Sequence, residues 1–397
     1  MRMDVPLLDL KAQYAAIRDE VRAAVDGVLE SQRFILGPNV EALEREVAAF
    51  CGAPHAVAVA SGTDALLLSL KALGVGPGCS VITVPFTFFA TAGAIVNVGA
   101  RPLFVDIDAA SFNLDPARLS ALLDAECSFS PASGRLVHRA SDTEVRALLP
   151  VHLYGQCADM DEIRQLARRY KLPIVEDACQ ALGARYRGEA AGTMGEFGCI
   201  SFFPSKNLGG AGDGGMVIAR DGELAARVRL LRTHGGERKY YHAVVGFNSR
   251  LDELQAAILR VKLKYLGSWN RARRENATAY AAEFQAAGLG PAVSIPKTLD
   301  GREHIFHQYV IRCQRRDALR AYLAGKGIGT EVYYPLSLHE QECFRALGYR
   351  VSDFPHAMEA SREVLALPVY PELTTGQRAH VVRAIAGFYT GDVCHSS

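Results

Sequence analysis

No Cys-x-x-Cys pair occurs in this sequence, and its nine cysteines, odd in number and scattered from Cys51 to Cys394, outline neither a disulfide framework nor a zinc site. Free thiols fit a reducing cytoplasm, which is the expected location. An excess of charge is also missing: 44 basic residues against 43 acidic leave a formal charge of +1, too little for a global field that attracts nucleic acid or an anionic membrane. Recognition is therefore expected to be local. The first stretch, "MRMDVPLLDLKAQYAAIRDEV", lacks a long apolar run and carries charges throughout, so it reads as neither a signal peptide nor an anchor. The expectation is a soluble, intracellular protein without a metal site.

What is present is material for a large core. About half of the 397 residues are hydrophobic, and because single cores rarely grow beyond roughly 250 to 300 residues, a large domain with a smaller companion is expected. Short apolar runs ("HAVAVAS", "SVITVP", "RPLFVDI", "ALLPVHL", "LPIVEDA", "FGCISFF", "GGMVIA") alternate with amphipathic or glycine-rich connections. That alternation predicts an α/β fold with a mainly parallel sheet wrapped by helices. A long helical pattern begins at "LDELQAAILRVKLKYLG", after which strands such as "HQYVIRC" are fewer. The boundary is placed on that helix, giving a domain over 1–262 and a smaller α+β domain over 263–397. The stretch 126–146 is polar and aperiodic, and reads as a solvent-exposed insertion without identifiable chemistry.

In open α/β sheets, ligands gather outside the carboxyl ends of the strands. Three places put candidate residues there. "HAVAVASGTDALLLSLKAL" reads as a strand, a turn and a helix with Leu66, Leu70 and Leu73 on one face. Amides at such a helix start bind phosphate, and an ordinary N-cap by Ser61 or Thr63 accounts for the same residues. "LPIVEDACQALGA" ends a buried strand in Glu176 and Asp177, with Gln180 just beyond. "FGCISFFPSKNLGG" ends another in Ser201 and delivers Lys206 after a proline turn, although a lone loop lysine is usually just solvated.

Lys206 does not belong to a P-loop, whose glycines precede Gly-Lys-Ser/Thr; here they follow the lysine. "GGAGDGG" also lies before a strand rather than between a strand and a helix, which argues against a dinucleotide fingerprint. An amine, a carboxylate and a phosphate cradle remain, the parts that pyridoxal phosphate needs.

Seven stretches, "SGTDAL", "FTFFATAGAIVNVGARPLFVDID", "PVHLYGQCADM", "VEDACQALGA", "SFFPSKNLGGAGDGG", "GFNSRLDELQAAIL" and "YYPLSLHEQ", resemble in that order the landmarks of the DegT-type nucleotide-sugar aminotransferases. The resemblance spans nearly the whole chain. It implies the aspartate aminotransferase-like fold (PLP-dependent transferase fold type I) and a homodimer with shared active sites. It also implies amino transfer, usually from glutamate, to a keto sugar on a nucleoside diphosphate, through pyridoxal 5'-phosphate and its pyridoxamine form. By position, Lys206 resembles the lysine that bonds the cofactor and shuttles the proton at the substrate carbon. Asp177 matches the partner of the ring nitrogen, and Gln180 the neighbour of the ring hydroxyl. Phe88 matches the aromatic on the ring face, with core packing open as an alternative because Phe86 and Phe89 flank it. Gly62, Thr63 and Ser201 match phosphate ligands, with Asp64 beside them in the cofactor-binding set.

The resemblance also makes Asn248 a phosphate ligand donated by the other subunit, and Arg250 a contact to the sugar or its diphosphate from the neighbouring chain. An ion pair with Asp252 or Glu253 accounts for Arg250 equally well. Tyr333 and Tyr334 resemble substrate contacts, with His339 near them, and packing in the smaller domain is the alternative for each. "KNLGGAGDGG" resembles enzymes that aminate carbon 3, so a 3-oxo UDP- or dTDP-sugar for glycan or antibiotic sugar biosynthesis is expected. A 4-oxo-sugar enzyme and a cofactor-binding regulator of the same fold are the alternatives. Relatives that dehydrate sugars replace the lysine by histidine, and Lys206 argues against that chemistry.

Overall fold

The computed structural model describes residues 3–290 and 292–391. In chain order the large part holds helices α1 (Leu10–Ser31), α2 (Pro38–Cys51), α3 (Gly62–Ala72), α4 (Ala90–Asn97), α5 (Pro116–Glu126), α6 (Met160–Tyr170) and α7 (Gly222–Arg232). Its strands are β1 (His55–Val59), β2 (Cys79–Thr83), β3 (Arg101–Phe104), β4 (Cys127–Ser130), β5 (Arg135–His138), β6 (Thr143–Leu148), β7 (Val175–Asp177), β8 (Arg185–Tyr186), β9 (Glu189–Ala190), β10 (Phe197–Ser201) and β11 (Gly215–Ala219).

One run of strands is ordered β1-β11-β10-β7, and a second is ordered β3-β2-β6-β5-β4. Parallel bridges Leu148↔Ile174 and Val151↔Asp177 join the two runs. Apart from the β5-β4 edge, only β11 runs antiparallel to its neighbours, β1 and β10, so the core of the sheet is mainly parallel as its apolar runs predict. Strands buried on both faces explain why those runs are continuously hydrophobic rather than alternating. Helix α3 is buried nearly all round, Leu68 and Ala65 as well as Leu66 and Leu70, because it lies between the sheet and helices α4 and α7. The single apolar face read from the sequence was too narrow.

The stretch 126–146 is a correction. Much of it is exposed, but it forms β4, β5 and the start of β6, an antiparallel extension of the sheet. Leu136 and His138 are buried, and Phe129 meets Tyr170 edge to face at 5.5 Å. Four-residue strands with so many polar positions leave too little periodicity to read.

Strands β12 (Gly236–Arg238) and β13 (Tyr241–His242) form an exposed hairpin, and α8 (Glu253–Ala286) follows. The smaller part holds β14 (Val293–Ser294), β15 (Arg302–Glu303), β16 (Tyr309–Cys313), α9 (Arg316–Gly325), α10 (Pro355–Glu363), β17 (Val364–Leu367) and α11 (Thr375–Thr390), with β14-β16-β17 as an antiparallel sheet. The 262/263 boundary falls inside α8, which packs on α1 and α2 as well as on α11. One apolar core runs from Val40 and Leu43 to Tyr309 and Val381. The N-terminal segment also crosses over: Val5 N donates to Gly327 O at 2.8 Å.

Among the described residues no helix is long and apolar enough to cross a membrane, and no cluster of histidine, cysteine, aspartate or glutamate is arranged to hold a metal. Eight cysteines are free thiols; Cys394 lies outside the described residues.

Candidate active site

Four chain segments end at one edge of the sheet and enclose a cavity of about 700 Å³. Strand β10 stops at Ser201, Pro204 bends the chain, and Lys206 N closes the turn onto Phe203 O at 2.8 Å. The glycines after the lysine allow the return: a Cβ on Gly209 would lie 2.2 Å from the Pro204 carbonyl oxygen. Lys206 is partly accessible from the cavity, but desolvation lowers its pKa, opposed by the nearby Cys179 and Asp177. Its amine is thereby biased towards the uncharged, nucleophilic form.

Asp177 ends β7 and is buried. Thr91 on α4 donates to its Oδ2 at 2.7 Å, and Cys179 N donates to its Oδ1 at 3.2 Å. Directly before it, Glu176 is wholly buried and accepts from Gly192 N, Met194 N, Gly195 N and His152 Nε2. His152 Nδ1 accepts from Ala158 N at 3.1 Å, so the ring is neutral with its proton on Nε2. This interior clamp fixes the strand end that presents Asp177. Gln180 is pinned at both ends of its amide, by Tyr154 N at 2.8 Å and by Tyr334 Oη at 2.9 Å.

At the start of α3, Ser61 Oγ accepts from Asp64 N at 3.0 Å, so the N-cap reading of Ser61 holds. The amides of Gly62 and Thr63 remain without intrahelical acceptors, as first-turn amides do. A Cβ on Gly62 would lie 2.7 Å from Ser201 Cβ and 2.9 Å from Cys179 Sγ, so only glycine lets helix and strand ends approach this closely. Gly62, Thr63, Ser201, Asp177, Gln180 and Lys206 all line the cavity; Asp64 does not, and lies in the first turn of α3, where its backbone amide donates to the Ser61 cap.

The three phenylalanines of "FTFFAT" have separate fates. Phe86 is core; Phe88, 55% exposed, lines the cavity 6.2 Å from Tyr334; and Phe89, also at the cavity, stacks on Phe344 at 5.4 Å. Tyr333 and Tyr334 line the opposite wall. His339 does not join them: it is buried, with Nδ1 beside Ser337 Oγ at 2.9 Å and its ring against Phe354.

Asn248 and Arg250 lie outside this chain's cavity, Asn248 exposed next to the β12–β13 hairpin. The ion-pair alternative for Arg250 fails: no such bridge to Asp252 or Glu253 exists among the described residues, and Glu253 instead accepts from Asn39 N and Val40 N. Sequence reasoning missed Thr91, whose spacing of four from Thr87 on a helix start was the available signal. It also missed His307, which lines the cavity 101 positions after Lys206 and gave no local signal.

A lysine amine shifted towards neutrality, an anchored carboxylate, and a helix start stripped of side-chain bulk fit pyridoxal phosphate in kind and number. Fold and site together define a PLP-dependent transferase of fold type I. The profile of the DegT/DnrJ/EryC1/StrS aminotransferase family matches residues 15–386, and the chain belongs to that family.

Among its relatives, a pleiotropic regulatory protein of Geobacillus stearothermophilus is 48% identical over 98% of this chain and 99% of its own length. A UDP-N-acetyl-3-dehydro-alpha-D-glucosamine 3-aminotransferase of Acidithiobacillus ferrooxidans is 42% identical over 96% of this chain and 97% of its own. The crystal structure of DesV from S. venezuelae, in complex with a ketimine intermediate, superposes with a TM-score of 0.89 at 42% identity, covering 97% of this chain and 98% of that one.

Proposed function

We propose that this protein is a PLP-dependent aminotransferase that moves an amino group from L-glutamate to carbon 3 of a UDP- or dTDP-linked 3-oxo sugar, working in the cytoplasm as a homodimer with shared sites. The observation that carries the reading is the meeting of Lys206, Asp177 and the Gly62–Thr63 helix start in one cavity. Carbon 3 is supported by the loop after Lys206 and by the 3-aminotransferase of Acidithiobacillus ferrooxidans.

When bound, pyridoxal phosphate supplies an electron-accepting ring that stabilises negative charge at the carbon bearing the amino group. Gly62 N, Thr63 N and the Ser201 hydroxyl are the donors suited to its phosphate. Asp177, an acceptor anchored from two sides, would hold a proton at the ring nitrogen. Gln180, fixed by Tyr154 and Tyr334, would sit beside the ring hydroxyl, and Phe88 would supply an apolar face. The free Lys206 amine would take the proton from the substrate carbon and return it one atom away. Its lowered pKa makes the free amine a competent base.

Charge supports the dimer. Glutamate, phosphate and nucleoside diphosphate are all anions, yet the charged side chains lining the cavity are Asp177, Asp213, Glu331 and Lys206. Arg320, which reaches Glu331 at 2.8 Å, is taken up by that ion pair. Cations from a second copy complete such a site, and Arg250 is the candidate. The hairpin beside it leaves Tyr240 and Val245 82% and 91% exposed, an apolar surface that a partner chain covers.

The Geobacillus relative's name favours a second reading, a regulator that binds the cofactor. A regulator does not require the amine, carboxylate and cradle to meet in one cavity, and here they do. The purified protein is incubated with glutamate and a panel of 3-oxo and 4-oxo UDP- and dTDP-sugars. Amination at carbon 3 supports the proposal, product at carbon 4 alone moves the ketone, and no amination of any sugar leaves the regulator.

A further inference from the structure

Two residues in the interior grip the chain around Lys206 from elsewhere in the fold. Asn207, the next residue, is buried, and its Nδ2 donates to Asn270 Oδ1 on α8 at 2.7 Å. Its Oδ1 faces His307 Nδ1 at 3.2 Å. Because Asn207 Nδ2 is already the donor to Asn270, its Oδ1 is the acceptor, and the proton of the His307 ring lies on Nδ1. Burial, and after it the charges of Lys206, Arg273 and His304, push the His307 pKa far down, which keeps the ring neutral.

Helix α8 grips the same place twice. Asn270 Nδ2 donates to Leu182 O at 3.2 Å, just after the Asp177–Gln180 segment. Arg273, one turn on and also buried, donates through Nη1 to Phe306 O, His307 O and Val369 O at 3.2, 3.3 and 2.8 Å. The helix therefore holds Asn207 with one side chain and the backbone of His307 with the next.

We propose that His307 and Asn270 are positioning residues that act through Asn207 to aim Lys206, so that the seating of the smaller part of the chain on α8 sets the geometry of the lysine. The inference rests on Lys206 being the reactive amine. A lysine carries four rotatable bonds, and its amine stays desolvated against Asp177 and Cys179 only if its backbone is held. Removing one partner of Asn207 leaves a buried amide group unsatisfied and frees the loop. Water then reaches the amine and its pKa climbs back towards the ordinary lysine value.

The test uses imidazole mimicry: asparagine places its amide nitrogen near the histidine Nδ1, and glutamine places it near Nε2. His307→Ala, His307→Asn, His307→Gln and Asn270→Ala are compared with wild type by two readouts. The first is the pH profile of Lys206 acylation in the cofactor-free protein, followed by peptide mass spectrometry. The second is the separation of kcat from KM for the sugar.

His307→Ala and Asn270→Ala are expected to move the Lys206 profile to higher pH and lower kcat about tenfold or more with little change in KM. His307→Asn should recover both, and His307→Gln should not. Recovery by glutamine alone would show that Nε2 acts directly in the cavity and would overturn the proposal. So would an unshifted Lys206 profile in all four variants, whatever their melting temperatures. If His307→Ala does not fold, the contrast between asparagine and glutamine decides. Because acylation is read without cofactor or substrate, failure here is distinct from failure of the aminotransferase reading, which is tested by Lys206→Ala.

Discussion

Thr91, at the start of one helix, donates its hydroxyl proton to Asp177 Oδ2 at 2.7 Å, so the carboxylate of one β-α unit is held by its neighbour across the sheet edge. Among the described residues the second carboxylate oxygen has only the Cys179 amide, at 3.2 Å. Thr91→Val keeps shape and removes the hydroxyl, leaving a buried carboxylate one donor short, which costs about 1 to 3 kcal/mol. The expected outcome is a folded protein with turnover reduced about tenfold, measured by steady-state kinetics beside a thermal melt. Unchanged turnover would count against the anchoring role.

Lys206→Ala is expected to abolish both the visible absorbance of lysine-bound cofactor and amino transfer. Asp177→Asn should retain some cofactor while turnover falls about a hundredfold or more, because the amide cannot hold a proton at the ring nitrogen as the carboxylate does. Absorbance titration and a coupled glutamate assay separate the two. Turnover near wild type in either variant removes that residue from its assigned place.

The lowered pKa of Lys206 also has a stability signature. Its cause is desolvation, so the folded protein binds the lysine proton less tightly than the unfolded chain does. Between the lowered folded value and the ordinary value near 10.5 the unfolded state carries more protons, and stability rises with pH across that window. Below it, the folded protein carries the cost of a buried charge. Cofactor-free wild type should therefore gain on Lys206→Met as pH rises through the window, checked by urea melts at several pH values; parallel curves would contradict it.

Gly62→Ala puts a methyl group 2.7 Å from Ser201 Cβ and 2.9 Å from Cys179 Sγ. Neither neighbour is the end of a flexible chain, so the helix start must retreat from β10. Overpacking of this kind costs about 1 to 3 kcal/mol, and the shift opens the phosphate cradle. A lower melting temperature with weaker cofactor affinity is expected. Gly62→Ala with wild-type affinity would show that the close approach does not shape the cradle.

Mixing a Lys206→Ala chain with an Asn248→Ala, Arg250→Ala chain tests the shared site. A hybrid dimer with shared sites contains one intact site and one doubly damaged one, so activity should return on mixing. If hybrids demonstrably form and activity never returns, each chain builds its site alone.

The chemistry-bearing ends of the strands are legible in the local sequence. Runs such as "LPIVED" and "FGCISFF" are continuously apolar because their strands are buried on both faces, and that pattern is local. It located Asp177, Ser201 and Lys206, and with the Ser-Gly-Thr turn it located the helix start that lines the same cavity. Periodicity failed where elements are short and polar, as in β4 and β5, whose place is fixed by pairing with β6 and not by their own pattern.

Packing between distant elements sets which side chains meet from far apart in the chain. It sent Phe88 into the cavity and Phe86 into the core, although both stand in one short stretch, because the chain bends through residues 85–87 before α4 begins. It turned His339 away from Tyr333 and Tyr334, and left Arg250 without the ion pair that its acidic neighbours offered. It brought Thr91 to Asp177 and His307 to Asn207, contacts spanning 86 and 100 positions. Hydrogen bonds of that kind depend on how the sheet edge, α4 and α8 are packed together, and no local propensity or spacing encodes packing between elements so far apart in the chain.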